Sequence, residues 1–302
     1  MSLSAGVVAA LEAAGLDPAY VEALVRATVA EDLDGGLDVT SAATVPADQR
    51  STLDLVVRGV GVSAGAPVAA AVFDAVSGGD AAVSVVTPDG TRVSHGDILV
   101  TARGRTRDLL TAERTALNLL CHLSGVATAT AQWTDALRGT GAKVRDTRKT
   151  TPGLRVLEKY AVRCGGGVNH RMSLSDAALV KDNHVMAAGG VAPAFEAVRA
   201  MFPGLAVEVE VDSLGQLTDV LDAGADLVLL DNFKPSQMRL AVGIAREHAL
   251  AHGQGRALLE ASGGLTLPDA AEVGATGVDY IAVGALTHSA PVLDVGADLR
   301  PL

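Results

Sequence analysis

The stretch LAVEVEVDSLGQLTDVLDAGADLVLLDNF, residues 205–233, decides how the second half of this chain folds. It opens with a period-two run in which Val207, Val209 and Val211 alternate with Glu208, Glu210 and Asp212, the spacing of a β-strand with two distinct faces. SLGQLTDVLDAG then reads as helix, and DLVLLDNF is a second short apolar run that stops at polar residues. Strand, helix and strand in this order form a parallel crossover unit. On a surface strand the acids would simply face water. In a parallel sheet covered by helices they are forced inward, where buried charge needs a cation or a metal.

The same texture extends in both directions. AKVRDTRKT, AALVKDNHV, RALLEASGG and DYIAVGAL are further apolar runs ending in polar or glycine residues, and APAFEAVRAMF, PSQMRLAVGIAREHALAH and LPDAAEVGATG are helical candidates. The alternation predicts an α/β-barrel-like domain with its site at the strand ends. Upstream, DPAYVEALVRATVAEDL starts with Asp17 as N-cap and Pro18 at the first helical position. STLDLVVRGVGV and AAVSVVTPDGTRVSHGDILVTARG are short β-rich runs, the second folded around a Pro-Asp-Gly turn. A long helical pattern, RDLLTAERTALNLLCHLSGVATATAQWTDALRG, is interrupted at Ser124-Gly125. The expected division is therefore a smaller N-terminal α+β sheet domain with an interface helix over 1–124 and the α/β-barrel-like domain over 125–302, the extreme C-terminus packing back on the first domain.

The chain has 302 residues, 49% hydrophobic and 20% charged, which marks a globular protein and excludes a disordered one. A formal net charge of -11 excludes a general affinity for nucleic acid or anionic membrane, so an anionic ligand must meet a local cluster of cations. No apolar run is long enough to span a bilayer. The N-terminus lacks a basic leader, and Cys121 and Cys164 are too few for a disulfide framework, so a reducing cytoplasm is expected.

The local cluster lies in DTRKTTPGLRVLEKYAVRCGGGVNHRM, residues 146–172. Arg155, Lys159 and Arg163 fall at helical spacing and are expected to be solvated surface charges. Arg148, Lys149, His170 and Arg171 remain, with Lys181 following another strand. An arginine fork suits a carboxylate and a lysine acts as a compact charge near phosphate or carboxylate. Glu210 and Asp231, at neighbouring strand ends, suit magnesium (Mg2+), which takes one or two carboxylates together with substrate phosphates. ASGG and VGALTHS offer glycine-backed amides to a phosphate, although for either motif alone a tight turn is the more frequent explanation. His122, His248 and His252 sit in helical patterns and are expected to be surface or packing residues. These residues imply a barrel that binds a small polyanion and do not name the reaction. A Schiff-base aldolase using Lys149 or Lys181 and a non-catalytic sugar-phosphate sensor are alternatives.

AERTALNLLCHLSGVAT, DTRKT, GGGVNHRM, VKDNHV, EVEVDS, LLDNF, EASGG and YIAVGALTHS occur in this order, and with them the chain resembles the quinolinate phosphoribosyltransferases from about residue 31 to residue 294. The resemblance implies transfer of phosphoribosyl from phosphoribosyl pyrophosphate (PRPP) to the nitrogen of quinolinate with decarboxylation, giving nicotinate mononucleotide, pyrophosphate and CO2 for NAD synthesis. A related transferase acting on nicotinate or another pyridine acid is the alternative. By the same resemblance Arg148, His170 and Arg171 grip the quinolinate carboxylates, and Lys149 and Lys181 stand between that ligand and the sugar donor. Glu210 and Asp231 serve the ribose and magnesium, and Ser262, Gly263, Gly284 and His288 lie near phosphate. Arg114 enters the site of a neighbouring subunit, which implies a homodimer or larger homo-oligomer. EDLDGGLDVTS and AHGQGRA depart from the family's pattern by an extra-looking residue and a small insertion, neither at a proposed ligand.

Overall fold

The computed structural model describes residues 3–302, which divide into two compact units. Residues up to 129 form the first unit with 156–166 and 289–302; residues 130–155 and 167–288 form the second.

In the first unit, α1 (Ala5–Ala13), α2 (Pro18–Leu33) and α3 (Val39–Thr44) precede β1 (Arg50–Val57), β2 (Gly61–Val62), α4 (Ala66–Ser77), β3 (Ala82–Val85), β4 (Arg92–Val93) and β5 (Ile98–Arg105). Asp17 caps α2 by accepting the Ala19 N–H at 2.9 Å. The main sheet is antiparallel, and one of its edge strands is the C-terminal β12 (Val295–Pro301), which pairs with β1 from Val57↔Val295 to Ser51↔Pro301. The Pro-Asp-Gly turn does more than reverse the chain. Asp89 accepts the Gly65 and Ala66 amides at 2.7 and 3.2 Å at the start of α4, and the Tyr160 hydroxyl at 2.7 Å.

Two expectations fail here for physical reasons. The Ser124-Gly125 interruption does not break the helix: α5 runs unbroken over Thr106–Ala136. Gly125 is a point of close approach, since a Cβ there would lie 2.2 Å from the Pro291 carbonyl oxygen, and Ser124 Oγ donates to the Ala64 carbonyl at 3.1 Å. On α6 (Arg155–Cys164), Lys159 is fully buried instead of solvated. Six consecutive residues, Leu157 to Val162, are buried there, so the helix is enclosed all round and its charges go inside with it. Arg155 also turns inward, donating to Thr150 Oγ1 at 3.0 Å and to the Met172 carbonyl at 3.1 Å, while Arg163 is exposed.

The second unit contains β6 (Lys143–Arg145), β7 (Ala178–Val180), α7 (Asp182–Ala188), α8 (Val191–Met201), β8 (Val207–Val211), α9 (Leu214–Asp222), β9 (Leu227–Asp231), α10 (Pro235–His252), β10 (Leu258–Ser262), α11 (Ala270–Gly274), β11 (Tyr280–Ala282) and α12 (Ala285–His288). All six apolar runs become strands of one parallel sheet in the order β6-β11-β10-β9-β8-β7. A further parallel bridge, Arg145↔Val168, adds the chain after the triple glycine beyond β6. The chain is thus α/β, a smaller antiparallel sheet domain preceding a parallel one, with six hydrogen-bonded strands rather than the eight of a full (β/α)8 barrel. Val207, Val209 and Val211 are buried, and so are Leu217, Val220 and Leu221 along one stripe of α9. No described helix is long and apolar enough to cross a membrane.

Candidate active site

The C-terminal ends of the six parallel strands surround a cavity of about 840 Å³. Each strand contributes: Arg148 and Lys149 after β6, Lys181 and Asp182 after β7, Glu210 in β8, Asp231 ending β9 with Asn232 after it, Ser262 ending β10 with Gly263 to Leu265 after it, and Val283 to Ala285 after β11. His170, Arg171, His288, Thr147 and Glu260 also line it. Eleven of the twelve sequence-predicted residues therefore share one cavity; Arg114, exposed on α5, is not in its lining.

The positive wall is held in place by the backbone around it. Arg171 donates from Nη1 to the Ala177 carbonyl at 2.9 Å. Its Nε and that of Arg148 are buried and find no acceptor among the protein atoms. Burial, and after it the like charge of Arg148, lower the Arg171 pKa from its ordinary value. Two crowded guanidinium groups with unmet donors are chemically suited to an anion.

The DTRKT and VNHRM segments meet through one carboxylate. Asp146, fully buried, accepts the His170 N–H at 2.8 Å and the Asn169 side-chain amide at 2.5 Å. His170 Nδ1 accepts the Arg171 N–H at 2.7 Å, which leaves Nε2 as the protonated nitrogen facing Glu208 at 2.9 Å. Both ring nitrogens thus have protein partners, and His170 anchors the backbone that carries Arg171.

Beneath this wall lies a charge network that sequence reasoning did not assign to the site. Arg145 reaches Glu260 at 2.7 Å and Glu208 at 3.7 Å, and the Arg145 guanidinium lies 4.8 Å from the Tyr280 ring centroid. Burial pushes the Glu260 pKa up to about 8, with the charge of Glu208 adding to it. Burial works against the Arg145 cation, but Glu260 and Glu208 more than offset it and raise its pKa. The signal for Glu208 is present in the period-two run, which puts it on the face of Glu210; Arg145 and Glu260 lie inside apolar runs, where no local pattern marks them.

The acidic wall is formed by Glu210, which ion-pairs with Lys181, and Asp231, which accepts the Asn232 side-chain amide at 2.7 Å. Nearby glycines have steric reasons. Gly263 lies at φ +106°, where a Cβ would fall 2.2 Å from Asn232 Oδ1; a Cβ on Gly284 would meet Lys149 Cδ at 3.0 Å and His288 Nε2 at 3.1 Å. Both glycines let polar side chains close on the cavity.

Family models described as the N- and C-terminal domains of quinolinate phosphoribosyl transferase match residues 38–124 and 126–298. A nicotinate-nucleotide pyrophosphorylase (carboxylating) of Mycobacterium leprae is 54% identical over 276 residues, covering 91% of this chain and 95% of that protein. A human protein of the same name is 39% identical over 287 residues, 94% of this chain and 93% of its own length. The crystal structure of NadC from Streptococcus pyogenes superposes with a TM-score of 0.88 at 38% identity, over 95% of this chain and 99% of that one. With both family domains matched in order and the conserved fold carrying the strand-end cavity, this chain belongs to the quinolinate phosphoribosyltransferase family.

Proposed function

We infer that this chain transfers phosphoribosyl from PRPP to the nitrogen of quinolinate with decarboxylation, yielding nicotinate mononucleotide, pyrophosphate and CO2. Family membership supplies the reaction. The observation on this chain that best supports it is the pair of buried, unpartnered Nε donors of Arg148 and Arg171 in a cavity that also carries acids. Quinolinate has two adjacent carboxylates for such a pair, whereas nicotinate has one. In this reading Arg148 and Arg171 bind the carboxylates directly, and His170 acts through its hold on the Arg171 backbone.

Lys149, Lys181, Ser262, Gly263, Gly284 and His288 then serve the phosphates of the sugar donor. Glu210 and Asp231 are oxygen donors on adjacent strands, a set suited to a hard cation, and we assign them to Mg2+. When bound, Mg2+ would neutralise pyrophosphate charge. As the bond from the ribose to pyrophosphate loosens, positive charge grows on the sugar, and the carboxylates of Glu210 and Asp231 stabilise it while Lys149 neutralises the departing group. The Glu210 and Lys181 pair holds both charges in reserve until substrate separates them. The quinolinate nitrogen, oriented by the arginines, attacks the ribose carbon. Once ribosylated, that nitrogen is cationic and stabilises the electron pair left on the ring when the adjacent carboxylate departs as CO2, and that pair then takes a proton from water to form the ring C–H.

We further propose a dimer in which Arg114 serves the partner's cavity, and a cytoplasmic setting, which the free thiols Cys121 and Cys164 suit. Mixing Arg114→Ala chains with Arg171→Ala chains should restore activity if one site can form from the two intact residues. No restoration would remove Arg114 from the neighbour's site. The test of the reaction is a product assay with Mg2+ and PRPP. Mononucleotide and CO2 in equal amounts from quinolinate, and none from nicotinate, is the expected result. Product from nicotinate would move the chain to the related transferase.

A further inference from the structure

His248 and His252, which read as ordinary helix residues, meet Asp222 away from the strand-end cavity. Their spacing of four puts both imidazoles on one face of α10, where the rings stack with centroids 4.1 Å apart. Asp222, the last residue of α9, brings Oδ1 to 3.2 Å from His248 Nε2. One donor atom from each of the three residues lies within 4.8 Å of the others.

Three features go beyond chance proximity. His252 Nδ1 lies 2.9 Å from the His248 carbonyl oxygen, an atom that can only accept. In the neutral ring Nδ1 therefore carries the proton and Nε2 holds the lone pair, oriented by the same kind of backbone hydrogen bond that orients metal-binding imidazoles. His252 also ends α10, with Gly253 as left-handed cap, so the cluster sits at the negative end of an 18-residue helix dipole, which favours a cation. Finally, His252 and Asp222 are exposed, which leaves their side chains free to close to the 2.0–2.2 Å metal–ligand distances typical of zinc, roughly, without disturbing the core.

We propose that Asp222, His248 and His252 form a surface site for a divalent transition metal, clipping the C-terminal ends of α9 and α10 together. Two imidazoles and one carboxylate suit zinc, nickel or copper, in contrast to the all-oxygen set of Glu210 and Asp231, which suits magnesium. The site is independent of the reaction assigned above, since none of its residues lines the cavity.

The test is calorimetric titration of chelator-stripped full-length protein with zinc chloride in excess Mg2+, with thermal unfolding alongside. Wild type should bind one zinc per chain and unfold at higher temperature with zinc than without. His252→Gln and Asp222→Asn, both at exposed positions, should weaken binding by about tenfold or more, lose the thermal shift and keep wild-type phosphoribosyl transfer when zinc is absent. Wild-type protein that binds no zinc, or equal binding by both variants, would overturn the proposal.

Discussion

Asp54 and Asp89 in the first unit and Glu208 and Glu260 in the second are carboxylates of two kinds. Asp54 takes the Thr101 hydroxyl at 2.6 Å and ion-pairs with Arg300 of β12. Asp89 takes two backbone amides, the Ser63 hydroxyl at 3.1 Å and the Tyr160 hydroxyl. These acids are satisfied by the chain itself and hold elements together. In the second unit, by contrast, Glu208 and Glu260 each keep one oxygen, and Arg148 and Arg171 each keep one nitrogen, buried without a hydrogen bond. Unmet polar atoms destabilise a fold, so a cluster of them at a cavity is a mark of function rather than of structure.

That contrast can be broken by substitution. The largest effect is expected from Glu210→Gln, which should lower kcat by about two orders of magnitude while substrate affinities change little, because the lost charge acts on the transition state. Single-turnover kinetics would measure it; unchanged turnover would take Glu210 out of the mechanism. Next, Arg171→Ala should weaken quinolinate by about 1.5–3 kcal/mol, seen as a raised quinolinate KM, and leave PRPP nearly unaffected. An equal loss for both substrates would show that Arg171 is not the carboxylate receptor.

In the first unit the opposite pattern should hold. Asp89→Ala removes the cap of α4 and the Tyr160 contact and should cost about 1–2 kcal/mol of stability in denaturant unfolding, with kcat/KM of the folded protein preserved. A loss of kcat/KM without a loss of stability would erase the distinction between the two kinds of acid.

The smallest effect sharpens the comparison. Glu260 titrates at about 8 in the folded chain against 4.5 ordinarily, so between those values the folded state retains a proton that the unfolded state has released. Stability from this group is therefore lost as pH rises through that window. Glu260→Gln stays neutral throughout, and its stability relative to wild type should climb from pH 5 to pH 8, roughly. A constant difference across that range would place the proton elsewhere in the network.

Much of the second unit was legible because a buried parallel strand needs a continuous apolar run and its end must turn polar where the site opens. AKVRDTRKT and LLDNF carry both signals in a few residues. The charges of α6 were misjudged because helical spacing states which residues share a face and not whether any face meets water; Lys159 is buried because packing encloses the whole middle of that helix. Ser124-Gly125 resembles a helix break for a similar reason, since the Pro291 backbone that needs the missing Cβ lies far along the chain.

By itself, the sequence determined the strands, their helices, the polar strand ends and the family resemblance, because period, capping and motif are local properties of the chain. Only the tertiary structure decided that β12 completes the first unit's sheet, that Asp146 ties DTRKT to VNHRM, and that Arg145, Glu208, Glu260 and His170 form one network. Those pairings join residues from 24 to 250 positions apart, and a contact of that kind depends on which strands become neighbours, which no local pattern encodes.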